Sequence, residues 1–186
     1  MDPCCGSGTI PIEAALIGMN IAPGLSRSFS AEGWHSIPAS IWKEERKKAF
    51  ESIKKDADIQ IIGSDVDQSA IQAARQNALE AGVSDAIQFR IEDITTLSSQ
   101  EPRGILITNP PYGERIGDQK TIDKIYGALN GFLKAHPDWS LFLITTDKTV
   151  EQQVAGRPAD RRRKLYNGRL EVCYYQFHGG KNVDIH

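Results

Sequence analysis

Nothing in this 186-residue chain approaches a membrane-spanning segment. The longest uninterrupted apolar runs, 14–17, 141–144 and 172–175, are four residues each, against the ~20 that a membrane helix needs. The amino end, Met1-Asp2-Pro3-Cys4-Cys5, lacks the basic flank and apolar stretch of a secretory signal, so the expected location is the cytoplasm. Cysteine is scarce: Cys4 and Cys5 are adjacent and Cys173 is distant, which makes neither a disulfide framework nor a zinc spacing, and reduced thiols are expected. The four histidines, His35, His136, His178 and His186, have no convergent cysteine or carboxylate spacing, so no metal site is expected. An excess of one charge is missing too. With 22 Lys+Arg against 24 Asp+Glu the net charge is -2, so no global field draws the chain to nucleic acid, and any such contact has to be local or supplied from outside it. What is present is 40% hydrophobic, 25% charged and 8% aromatic, the profile of a soluble globular protein with one substantial core.

Glycine and proline punctuate an alternation of β-branched runs and alanine-rich helical stretches, which predicts an α/β fold with a mainly parallel sheet. The spacing predicts a helix over 9–19 opened by a glycine loop, with Pro11 tolerated in its first turn. An irregular excursion and a charged helix over 40–55 follow; together they read as an insertion at about 20–57, placed on the ligand face. A strand over 59–64 leads to Asp67 as a helix cap, and Ala70, Ile71, Ala74, Ala78 and Ala81 form the apolar stripe of a helix closed by Gly82. Strands follow over 87–91 and 104–108, then a helix over 118–135 and a strand over 139–145 apolar enough to be buried on both faces. Asn167-Gly168 between two strand-like runs predicts a final antiparallel hairpin. One element is missing: a glycine loop that opens a helix is normally fed by a buried strand, yet only Met1 precedes Asp2. The expectation is a chain truncated at its amino end, lacking its first central strand and leaving sheet edges on either side of a gap.

Two constellations carry chemistry. Asp2, Pro3, Cys4, Gly6, Ser7, Gly8 and Thr9 form a tight loop in which the two glycines let the backbone approach a ligand at a helix start. Pro11 stands where the dinucleotide fingerprint needs its third glycine, and no Gly-Lys-Ser/Thr follows, so neither a dinucleotide site nor a P-loop is expected. Asp65 ends the next strand, with Val66 beside it, where a carboxylate can accept both hydroxyls of a ribose. Asp93 and the amide of Ile94, after the third strand, are placed to read an adenine edge. Acids at consecutive strand ends beside a glycine loop point to a bound nucleoside. The second constellation is Asn109-Pro110-Pro111-Tyr112, directly after a buried strand. Its prolines stiffen the backbone; the Asn109 amide oxygen and the Pro110 carbonyl can accept both hydrogens of a planar amine, and Tyr112 offers a face on which a base out of its helix can stack.

These motifs resemble the class I S-adenosylmethionine-dependent methyltransferases of the amino-group type. Asp2 to Thr9 is similar to their first motif, Asp65 and Asp93 to the second and third, and Asn109-Pro110-Pro111-Tyr112 to the fourth. The longer strings Ala22-Pro23-Gly24-Leu25, Asn109 through Gly113-Glu114-Arg115, and Lys164-Leu165-Tyr166-Asn167-Gly168 resemble the bacterial THUMP-domain RNA guanine-N2 methyltransferases, especially the rRNA large subunit methyltransferase L group, whose members are often labelled N6-adenine-specific DNA methylases. The resemblance covers nearly the whole chain. It implies a Rossmann-like methyltransferase fold over 1–186, with S-adenosyl-L-methionine on the residues of the first three motifs and Asn109. It further implies catalysis by residues 109–112 on the exocyclic amino group of a base, guanine N2 in 23S rRNA. An upstream THUMP region, absent here, would supply most RNA affinity. DNA adenine-N6 methylation, protein glutamine methylation and a non-catalytic cofactor-binding module are the competing readings. The basic stretch Arg157, Arg161, Arg162, Arg163 and Lys164 reads either as a phosphate contact or as a solvated loop.

Overall fold

The computed structural model describes residues 1–111 and 118–180. Gly8, at φ +87°, sits at the N-cap of α1 (Thr9–Gly18), a left-handed backbone that glycine adopts without strain. The excursion after α1 carries α2 (Ala39–Glu51). Then β1 (Ile61–Asp65) leads to α3 (Gln68–Glu80), whose N-cap Asp67 accepts from the Ser69 amide. Gly82, at φ +72°, closes it. The remaining elements are β2 (Ile87–Ile91), β3 (Gly104–Thr108), α4 (Asp118–Ala135), β4 (Trp139–Thr145), β5 (Arg161–Asn167) and β6 (Leu170–Phe177). Among the described residues no helix is long and apolar enough to cross a membrane.

The strands fall into two groups, β1-β2, parallel, and β3-β4-β6-β5, in which β3 and β4 are parallel and β6 is antiparallel to both neighbours. Met1 and Asp2 lie between the groups. Asp2 donates to the Ile62 carbonyl and accepts from the Ser64 amide, pairing in parallel with Gly63; Met1 donates to the Ile105 carbonyl and accepts from the Ile107 amide. Two residues therefore bridge β1 to β3 with strand-like bonds on both sides. On one half α1 and α3 pack Ile12, Ala15, Ile71, Ala74 and Ala78 against Ile87 and Phe89. On the other α4 packs Ile125, Leu129 and Phe132 against Leu106, Leu141, Leu143 and Phe177.

Some details depart from the sequence reading. The terminal turn is one residue later than Asn-Gly suggests: Asn167 pairs with Leu170, so the turn is Gly168-Arg169, with Gly168 supplying the positive φ of +62°. The second helix stops at Glu51 because the chain is captured there, Asn20 binding the Ser52 carbonyl and Lys54 donating to the Met19 carbonyl. Those bonds close the base of the insertion at the carboxyl end of α1, the end away from the glycine loop. Its interior is organised by Arg46, which donates to the Leu25 and Arg27 carbonyls and to Glu32, and by Phe29 stacked on Trp42 at 5.9 Å.

Candidate functional site

Parallel strands end on the same side, and there the connections diverge to leave a crevice. Both motif groups open on that edge. The turn after Asp2 is tied down from several directions: Cys5 donates to the Ser64 carbonyl, Gly8 to the Cys5 carbonyl, and Asn77 of α3 to the Ser7 carbonyl. Asp65, at the end of β1, accepts from the Gly6 amide on Oδ2 (3.0 Å) and from the Asp67 amide on Oδ1 (3.0 Å). Each carboxylate oxygen retains a second lone pair, so Asp65 can hold the loop and meet a ligand hydroxyl at once.

The two loop glycines serve different ends. At Gly8 a Cβ would lie 2.9 Å from the Ala74 Cβ and 3.1 Å from the Phe89 ring, so this position keeps α1, α3 and β2 close. At Gly6, φ +52°, a Cβ would meet nothing within 4 Å. The space there is open, next to the Asp65 carboxylate. Val66 presents an apolar side chain, 65% exposed, beside it.

Asp2 is 3% exposed, and burial pushes its carboxyl up to about 6. The Cys4 amide donates to it at 3.2 Å. The Thr108 hydroxyl, at the end of β3, approaches closely enough to favour its charged form. That hydroxyl is nevertheless buried without a well-formed hydrogen bond among the described residues. Burial first, and the nearby Asp2 second, push the Cys4 and Cys5 thiols up to about 12. Neither is a nucleophile near neutral pH.

Asp93 is used more heavily than its place at a strand end suggests. Lys124 of α4 pairs with Oδ2, and the Thr95 amide and hydroxyl both donate to Oδ1. These contacts, the Lys124 bond foremost, hold its carboxyl down at about 2. It caps the short turn at Ile94–Thr96, with the Ile94 side chain buried under it.

Asn109 follows Thr108, whose register partner on β4 is Leu143. Asn109 is exposed, Pro110 buried and Pro111 exposed, so the peptide turns outward on an anchored proline. Because Met1 pairs with β3 and Asp2 with β1, the glycine loop and Asn109 leave adjacent positions at one edge, about one strand spacing, ~5 Å, apart. Tyr112 and Gly113-Glu114-Arg115 lie outside the described residues. Trp34 (61% exposed) and His35 sit on the surface of the insertion. Sequence reasoning missed Asn77, Thr108 and Lys124. Asn77 alone carried a signal, a polar residue on a helix opened next to the loop; the other two depend on which strands and helices meet.

A groove of about 510 Å³, lined by Asn130, Lys134, Trp139, Gln153, Arg157 and His178, lies where β4 begins. That is the opposite edge of the sheet from both motif groups.

Over residues 1–176 the chain matches the family model described as "RMKL-like, methyltransferase domain". "Putative RNA methyltransferase YpsC" of Bacillus subtilis (strain 168) is 40% identical over 177 residues, 95% of this chain and 46% of that protein. "Ribosomal RNA large subunit methyltransferase K/L" of Shewanella baltica (strain OS185) is 38% identical over 179 residues, 94% of this chain and 25% of that protein. The chain thus spans about half or less of the length of these curated relatives. Among solved structures, "SMU.472, a putative methyltransferase complexed with SAH" superposes with a TM-score of 0.90 at 42% identity, covering 97% of this chain and 48% of that one. A Rossmann-like class I methyltransferase sheet, with its loop and Asn-Pro-Pro motifs meeting at one edge, accounts for the match along nearly the full length: the chain belongs to the RMKL-like methyltransferase domain family.

Proposed function

We propose that this chain is the catalytic domain of an S-adenosylmethionine-dependent RNA methyltransferase acting on the exocyclic amino group of a base, guanine N2 in large-subunit ribosomal RNA, in the cytoplasm. The observation that carries the reading is the meeting of the glycine loop and Asn109 at one edge. The 42%-identical SMU.472, solved with SAH, and the RNA methyltransferase names of the relatives support it.

The residues fit the cofactor. Open space over Gly6, the Asp65 carboxylate, exposed Val66 and buried Asp2 form a site with room for a backbone-held methionine end, an acceptor for ribose hydroxyls and an apolar surface for a base. Pro3, Cys4, Ser7, Gly8 and Thr9 shape the loop, and Asp93 and Ile94 flank the far side. When bound, S-adenosylmethionine supplies a methyl group made electrophilic by its sulfonium. Asn109 and the Pro110 carbonyl orient the target amine by accepting its two hydrogens, which turns the nitrogen lone pair toward the donor. Alignment of two reactants, not proton abstraction, supplies the acceleration. The displaced proton passes to water, since neither Asn109 nor proline takes one. The reading also includes an upstream strand continuing from Met1 between β1 and β3, and an upstream RNA-binding THUMP region. The strand-like bonds of Met1 and Asp2 support the strand, and the greater length of the relatives leaves room for a further region.

The test is transfer of labelled methyl groups from S-adenosylmethionine by the protein as expressed from its gene. Label is expected in 23S rRNA, recovered as N2-methylguanosine after digestion. Label recovered in duplex DNA adenine, or in no nucleic acid, overturns the reading.

A further inference from the structure

The chain as a whole is slightly acidic, yet Arg161, Arg162, Arg163 and Lys164 stand in a row on β5, with Arg169 in the turn that follows. Two carboxylates answer this cluster: Glu171 pairs with Lys164 at 2.7 Å and Glu151 with Arg162 at 3.5 Å. Among the described residues none pairs with Arg161, Arg163, Arg169 or Lys148.

Strand alternation sorts these cations. Arg162 and Lys164 share a face with their β6 partners Tyr175 and Cys173. There they line a groove of about 230 Å³ whose other wall carries Thr146 and Lys148, from the segment just after β4, with Glu171 as its acid. Three cations thus meet two carboxylates, Glu171 in the groove and Glu151 on Arg162, which leaves a net positive charge in a groove bounded by two strand ends.

Register places the groove relative to Asn109. Thr108 pairs with Leu143, so Asn109 is level with Ile144; Ile144 pairs with Tyr174, and Tyr174 with Arg163. Arg162 and Lys164 therefore flank the row of Asn109, three strand spacings or ~14 Å across the sheet. The hairpin runs on for four more residues, ~13 Å past that row. The groove opens on the same edge as Asn109, at a distance a few nucleotides of single strand cover.

We propose that the groove between the post-β4 segment and the β5-β6 hairpin, through Lys148, Arg162 and Lys164, holds backbone phosphates of the RNA strand that presents the target base. This rests on the reading that the chain methylates RNA. A phosphodiester backbone suits the groove because it offers one negative charge per step and is met by point charges and guanidinium forks without base recognition. The Arg162-Lys164 spacing on one face, ~7 Å, is of the order of one such step. The Lys164-Glu171 pair is solvent-exposed and holds the lysine in place between turnovers at little cost in stability, while Arg162 rests on the half-buried Glu151.

The experiment compares the parent protein with the triple variant Lys148→Ala, Arg162→Ala, Lys164→Ala and with its charge-preserving counterpart Lys148→Arg, Arg162→Lys, Lys164→Arg. It reads RNA KM and kcat at several salt concentrations and S-adenosylmethionine affinity by calorimetry. Expected for the alanine triple are a KM for RNA raised about tenfold or more, a slope of log KM against log salt reduced by about 2, and unchanged cofactor affinity. The charge-preserving triple stays within about threefold of the parent. An alanine triple with the parent's KM and salt slope overturns the groove and leaves RNA methylation standing. A parent that binds cofactor and methylates duplex DNA or no nucleic acid overturns the underlying reading and the groove with it.

Discussion

The two halves of the sheet are built from different side chains. Around β1 and β2 the core interleaves small residues, Ala15, Ala74 and Ala78, with Ile12, Ile71, Ile87 and Phe89, and Gly8 and Gly63 lie so close to Phe89 that a Cβ at either would intrude. Around β3, β4 and β6 it is large: Leu106, Leu129, Leu141, Leu143, Phe132, Trp139, Tyr175 and Phe177. The small half brings backbone amides and strand-end carboxylates within reach of a ligand, because few side chains stand in the way. The large half presents one stiff peptide, Asn109-Pro110, on a densely packed base. The site proposed above, gripping one molecule by its backbone and aligning another by two acceptors, would draw on both kinds of construction.

Substitutions test this division. Leu141→Ala, in the large half, should cost about 4 kcal/mol of stability, seen as a lower urea midpoint; retained stability would mean that this core is looser than its burial indicates. Asp2 lies between the halves. Its native carboxyl, raised to about 6, binds a proton more tightly than in the unfolded chain. The associated stability is complete below about pH 4 and lost as pH rises through about 6, roughly 3 kcal/mol in all. Asp2→Asn should therefore gain on the parent between pH 4 and pH 7, and a gap that does not vary with pH would contradict the burial argument.

Asn109→Ala should lower kcat on the order of 10²-fold, with cofactor affinity unchanged; an equal loss in cofactor binding would erase the separation of roles. Within the small half, Gly8→Ala should cost ~2 to 3 kcal/mol, combining a left-handed backbone with overlap on Ala74. Gly6→Ala should cost only about 1 kcal/mol while weakening cofactor binding more than Gly8→Ala does, measured by calorimetry on folded protein. The reverse order would exchange the roles given to the two glycines.

Much of the fold was legible because its signals are local. The strands over 87–91, 104–108 and 139–145 and the helix over 118–135 have the expected bounds, since β-branched runs and amphipathic spacing mark them without tertiary help. The glycine loop and Asp65 were legible as a pair, and the structure joins them by a direct bond. Asp93 was only half legible: its strand-end position shows in sequence, but its pairing with Lys124, thirty-one residues on, depends on how α4 crosses the sheet. Thr108 reads as one more β-branched strand residue until the approach of Asp2 and Cys4 buries its hydroxyl. The first strand begins at Ile61, later than expected, because Ile59 is spent packing on Gly18 at the end of α1.

The glycine loop is fastened at two points, Gly6 to β1 through Asp65 and Ser7 to α3 through Asn77. Anchored to both a strand and a helix, it should keep its outline whatever occupies it. Spent and fresh methyl donor should therefore exchange through a doorway of constant shape, with selectivity set by fit at the threshold and not by a hinge.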